Sequence, residues 1–171
     1  MKLLKNNDNI KILEDYQNEE PPINLSKLAK KLNLSIYGKS LNKDISGAIL
    51  KTINGNYIIY VNTDEPFRRQ RFTVAHEIAH FILHKDEIDK QLKGNLTELK
   101  NGIMYRSKLS NIYETQANQL ASEILIPIGK LKDYIINKKI NNINELSDIF
   151  KVSKHAMQIR LRQGGNIFIK E

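Results

Sequence analysis

The chain has 171 residues, 40% apolar and 27% charged, the size and balance of one globular domain able to bury its own core. It contains no cysteine, so disulfides and thiolate metal sites are excluded, and any transition metal has to be held by carboxylates and the four histidines. The 27 basic and 19 acidic residues leave a net charge of +8. The lysines are scattered and no aromatics interleave with arginines, so direct nucleic-acid binding is disfavoured.

The opening Met1-Lys2-Leu3-Leu4-Lys5-Asn6 turns polar after two leucines and lacks the apolar stretch of a secretory leader. No apolar run reaches the roughly eighteen residues of a membrane span, so the expected address is the cytoplasm. Leu3, Leu4, Ile10, Leu13 and Tyr16 predict a short helix within 2–17, stopped by Pro21-Pro22. Asn24-Leu25-Ser26 opens a second helix with Leu25, Leu28, Ala29 and Leu32 on one face. The period then shortens: Ser35–Tyr37, Ile45–Lys51 and Tyr57–Val61 read as strands, the last two joined by a hairpin at Asn54-Gly55. Beyond Pro66 a helix is predicted from about Arg68 to His84, then a polar connection over 85–110, then a helix from about Tyr113 to Leu125 ended by Pro127. The remainder reads as two or three short helices and a strand-like tail at Ile167-Phe168-Ile169.

The chemistry lies in His76-Glu77-Ile78-Ala79-His80. Two histidines four apart on a helix differ by about 40° around the axis and one turn along it, so both imidazoles reach one metal ion from one side. Glu77 projects toward the edge of the same site, where it can take a proton from water on the metal without coordinating. The flanking Phe72, Ala75, Ala79 and Leu83 form an apolar stripe, and polar groups on a buried helix need partners; a metal is one. His84 stands about 12 Å along the axis from His76, too far to share an ion, and reads as structural, closing the helix or pairing with a carboxylate. Glycine and histidine of the metzincin pattern are replaced by Leu83 and Asp86.

Zinc needs a third protein ligand and an open fourth position for catalysis. The helix beginning near Tyr113 offers Glu114 and Glu123. Glu114 is in register with the buried face of Ala117, Leu120, Ala121, Ile124 and Leu125, whereas Glu123 points elsewhere and is expected to be solvated. Glu114 is therefore the expected ligand, and Asn118, one turn on, is placed to orient a ligand imidazole.

These segments resemble the ImmA/IrrE-type zinc metallopeptidases, in the short form of phages or mobile elements. Arg71-Phe72-Thr73-x-Ala75-His76-Glu77-x-x-His80-Phe81-x-Leu83-His84 is similar to the family's zinc helix. Glu114-x-x-Ala117-Asn118-x-x-Ala121-x-x-Ile124-Leu125-Ile126-Pro127 is similar to its second motif, whose glutamate is the third ligand. Ser46-Gly47 and Ile58 to Asn62 resemble the strands before the zinc helix, and 143–161 its helix-turn-helix-like segment, which packs on the peptidase core. The resemblance implies an anti-repressor peptidase whose substrate is a DNA-binding, helix-turn-helix repressor, and a chain that stops where longer relatives add a sensor-like domain.

The expected fold is α+β: a small, mainly antiparallel sheet packed on a helical zinc-peptidase core, with a helix-turn-helix-like C-terminal segment. One domain is expected, with the core in 1–127 and a helical subdomain in 128–171. One zinc ion per chain would be held by His76, His80 and Glu114, with Glu77 as general base. Tyr105, Arg106, His155 and Arg160 stand as unranked oxyanion donors. The alternative is a DNA-binding or protein-binding regulator with a structural zinc site, which would have no use for a base at Glu77.

Overall fold

The computed structural model describes residues 7–52, 54–94 and 111–163. In chain order these form α1 (Asn7–Gln17), α2 (Leu25–Lys31), β1 (Leu34–Lys39), β2 (Gly47–Lys51), β3 (Tyr57–Asn62), α3 (Phe67–Gly94), α4 (Asn111–Leu125), α5 (Ile128–Ile136), α6 (Ile143–Phe150) and α7 (Lys154–Gln163). The architecture is α+β.

Local chemistry accounts for the element ends. Asn24 caps α2, its side-chain oxygen accepting from the Lys27 amide at 3.0 Å. The face of α2 expected to be apolar is buried throughout, at Leu25, Leu28, Ala29 and Leu32. In the hairpin between β2 and β3, the Thr52 amide donates to the Asn56 carbonyl at 2.7 Å, and Gly55 adopts φ +82°, a conformation glycine takes without steric cost.

The sheet has the order β1-β3-β2. It is mixed rather than mainly antiparallel: β2 runs antiparallel to β3, but β1 runs parallel to it, Ile36 opposite Ile59. After β1 the chain crosses to the far edge before the hairpin returns β3 to the middle, so β3 must run with β1. Composition reveals strands; it does not reveal that crossing.

β2 approaches α3 so closely that Gly47 leaves no room for a side chain. A Cβ there would lie 2.4 Å from Thr73 Cγ2 and 2.7 Å from the Tyr60 carbonyl oxygen. The backbone oxygen cannot move without breaking the sheet. Gly47→Ala is expected to destabilise the protein by about 1–3 kcal/mol, read as a lower urea midpoint at unchanged slope.

α3 runs ten residues past the expected end. At His84 the backbone leaves helical geometry (φ −127°, ψ 23°), and the helix resumes beyond this break to Gly94. Ile88 is buried there, and Asp89 accepts from the Tyr57 hydroxyl of β3 and, at 3.0 Å, from Lys51 Nζ of β2. Among the described side chains, Ile88 and the Asp89 cluster thus help tie the second half to the core and the sheet, and two adjacent positions give no readable apolar period. The 95–110 part of the expected connection, with Tyr105 and Arg106, and the tail at 167–169 lie outside the described residues.

The C-terminal helices share the core through Leu131, Ile143, Leu146, Phe150, Val152, Met157 and Leu161. Ser153 caps α7, accepting from the Ala156 amide at 3.1 Å, as its place in the Val-Ser turn predicts. Of the apolar residues on α7, Met157 and Leu161 are buried and Ala156 packs partly buried against the core, while Ile159 is exposed. Two arginines fasten this segment. Arg68 donates to the Val152 carbonyl at 3.0 Å and pairs with Asp148. Arg160 donates from Nε to the Ile126 carbonyl at 2.9 Å. None of the described helices is long and apolar enough to cross a membrane.

Candidate metal centre

α3 and α4 pack face to face, with Ala75 and Ala79 on one and Ala117 and Ala121 on the other fully buried. Small side chains let the two helices approach, and the polar residues interleaved with them meet across the seam. His76 Nε2 and His80 Nε2 lie 2.9 Å apart. The two carboxylate oxygens of Glu114 sit 3.3 Å from them, Oε2 against His76 and Oε1 against His80. The three residues that sequence spacing singled out are brought together, with one donor atom from each lying within 4.8 Å of the others.

The rest of each ring is also accounted for. His76 Nδ1 donates to Asn118 Oδ1 at 3.0 Å, the contact that the i+4 spacing from Glu114 suggested. An amide oxygen only accepts, so the proton sits on Nδ1 and the Nε2 lone pair faces the cluster. Lone pairs of two imidazoles and a carboxylate converging on one point repel unless a cation lies among them. The donor set fits a divalent transition metal, and it does so without sulfur.

Electrostatics agree with that role. Burial pushes the His80 imidazole down to about 3, with the neighbouring rings of His76 and His84 adding to the effect. Burial also lowers His76, against the opposing pull of the Glu114 carboxylate. Both rings are therefore neutral near pH 7, the form that binds metal. An unfolded histidine titrates near 6.5, so on acidification the unfolded chain takes the proton first. For His80 this contribution to stability is complete above about pH 6.5 and lost as pH falls toward about 3, and the lowered His76 acts in the same direction. Urea titrations of metal-free protein at about pH 7 and about pH 5 should show that fall; equal midpoints would contradict it.

Glu77 lines the same pocket, a cavity of about 270 Å³ bounded by Ser46–Ile49 of the β2 edge and by Arg69, Phe72, Thr73, His76, His80, Glu114 and Asn118. Arg69 is an addition to the sequence reading. Its guanidinium donates to Ser46 Oγ at 3.2 Å and lies 5.8 Å from the centre of the Phe72 ring. The signal was present, since Arg69 is two helical turns before His76 on the same face. Of the oxyanion candidates, His155 is exposed on α7 and Arg160 is committed to Ile126 and, at 3.8 Å, Glu123; neither lines the pocket. Glu123 keeps about a third of its side chain exposed beside Arg160 and takes no part in the metal cluster. His84 is buried and faces an amide, Gln116, rather than a carboxylate.

An α+β frame in which one helix offers two histidines and the helix packed on it a glutamate defines a domain able to hold a metal ion. The profile of the IrrE N-terminal-like domain, peptidase family M78, matches residues 29–162, and the chain belongs to that family. Among solved structures the chain is similar to a Mycobacterium tuberculosis transcriptional regulator, with a TM-score of 0.59 and 13% sequence identity. The match covers 91% of this chain and 47% of that one, so the chain spans about half the length of the regulator whose fold it shares. No curated protein matches.

Proposed function

We propose that the protein is a zinc-dependent endopeptidase whose substrate is a DNA-binding transcriptional repressor. The observation that carries this reading is the convergence of the His76, His80 and Glu114 donor atoms in a pocket that Glu77 also lines. Two histidines and a carboxylate leaving one position open is a catalytic zinc set. When bound, zinc polarises the scissile carbonyl and lowers the pKa of a water to about 7. Glu77 takes the proton of the attacking water and delivers it to the leaving amine. Arg69 lends positive charge to the wall where negative charge develops on the carbonyl oxygen.

The substrate chain is best accommodated along β2. The Asn62 amide donates to the Ser46 carbonyl at 2.8 Å and the Thr52 amide to Asn56 at 2.7 Å, so even-numbered residues of the strand bond inward to β3. Gly47 and Ile49 then turn their backbone N–H and C=O outward, and among the described residues no strand lies on that side. An extended peptide added there would run past the metal centre. A regulatory substrate is in keeping with the transcriptional regulator that shares the fold.

Elemental analysis of freshly purified protein should find about one zinc per chain, and Glu114→Ala should weaken its retention against a chelator by at least about tenfold. Protein without metal, or Glu114→Ala that holds zinc like the wild type, would contradict the assignment. Incubation with a purified helix-turn-helix repressor, followed on a gel for cleavage, tests the substrate.

A further inference from the structure

His84 is the one buried histidine that the proposed chemistry leaves unused. It stands at the break in α3, with the Tyr113 ring 4.6 Å from its own, and both of its nitrogens are engaged. Nε2 lies 2.8 Å from Gln116 Oε1. Nδ1 lies 3.1 Å from His80 Nδ1.

The proton positions follow from these contacts. The Gln116 oxygen only accepts, so His84 Nε2 carries the proton. A neutral imidazole has one, so His84 Nδ1 presents a lone pair. His80 Nδ1 must then be the donor of the contact between them. Its own single proton is thereby placed on Nδ1, and His80 Nε2 is left bare, facing His76 Nε2 and Glu114.

We infer that Gln116 and His84 form a relay that fixes the tautomer of His80, making His84 a positioning residue of the metal centre. The inference deepens the metal reading and rests on it. His76 receives the same instruction in one step, from the Asn118 oxygen. His80 is deeper, and His84 spans the remaining distance to the amide of α4. Both ligand rings are thus oriented by side-chain oxygens of one helix, the arrangement that raises ligand basicity and holds ring orientation at metal sites.

The test begins with NMR of the metal-free full chain carrying isotope-labelled histidine nitrogens, which distinguishes the two neutral tautomers. His80 should carry its proton on Nδ1 in the wild type. Gln116→Met, at a half-buried position, touches neither ligand ring, yet it should erode that preference and weaken zinc binding about 10- to 100-fold in chelator competition. His84→Leu should do the same. His84→Asn should restore much of the affinity, because its oxygen stands near the lost Nδ1 and accepts from His80. A wild-type His80 protonated on Nε2 would overturn the relay. So would His84→Asn behaving like His84→Leu, since a purely packing role makes no distinction in favour of the polar residue. The tautomer is read without metal, so a wild type that bound no zinc would strike the proposed function while the NMR still decided the relay.

Discussion

His80→Ala is expected to yield folded protein that retains no zinc through purification, against about one ion per chain in the wild type. His80 is 2% exposed, and its ring contacts His76 and His84 and faces Glu114. Removing it leaves one imidazole and a carboxylate, a pair that binds zinc far more weakly than three ligands. The truncation also opens a cavity beneath the seam, so a loss of about 2–4 kcal/mol in metal-free stability is expected as well. His76→Ala separates the two effects: His76 is only partly buried, so it should lose the metal with a smaller structural cost. Elemental analysis alongside urea unfolding of both variants reads each quantity. Zinc retained at one per chain in either variant would place the ion elsewhere.

Glu77→Gln is expected to keep fold and zinc and to lose peptidase activity by about 10²–10⁴. The amide matches the carboxylate in shape, so contacts of the side chain are largely preserved. It lacks a basic oxygen for the water proton, and the same group is needed again to protonate the leaving amine. The loss should fall on kcat, because the substrate backbone is held elsewhere. Matched preparations would be compared for zinc content and for cleavage of a helix-turn-helix repressor that the wild type cuts. A variant with full metal that cuts at the wild-type rate would remove Glu77 from the chemistry.

The centre was legible because its spacing is helical. His76, His80, Glu114 and Asn118 each follow from placing polar residues in register with a buried stripe, and helix geometry converts that register directly into position. Features set by distant parts of the chain were not legible. The parallel pairing of β1 with β3 depends on a crossover in 40–46, and strand residues look alike whichever neighbour they have. The helix beyond His84 is held by Asp89 reaching Lys51 and Tyr57, some thirty residues earlier, and no local period announces it. That Arg160, on another helix, lies beside Glu123 is equally invisible to local spacing. Arg69 had the right phase, but only the closeness of β2 at Gly47 turns that phase into a pocket wall.

The amide and carboxylate contacts that order the centre all cross a single seam. Glu114, Gln116 and Asn118 on α4 reach His76, His80 and His84 on α3, and fully buried alanines flank them on both helices. A slip of α4 by one residue would move it about 1.5 Å along its axis and turn it by about 100°, taking all three side chains out of reach together. The centre therefore assembles as a unit, like teeth of two meshed gears. Its sensitivity is not confined to residues that touch it: a larger side chain in place of Ala79 or Ala121 would disengage the whole train at once.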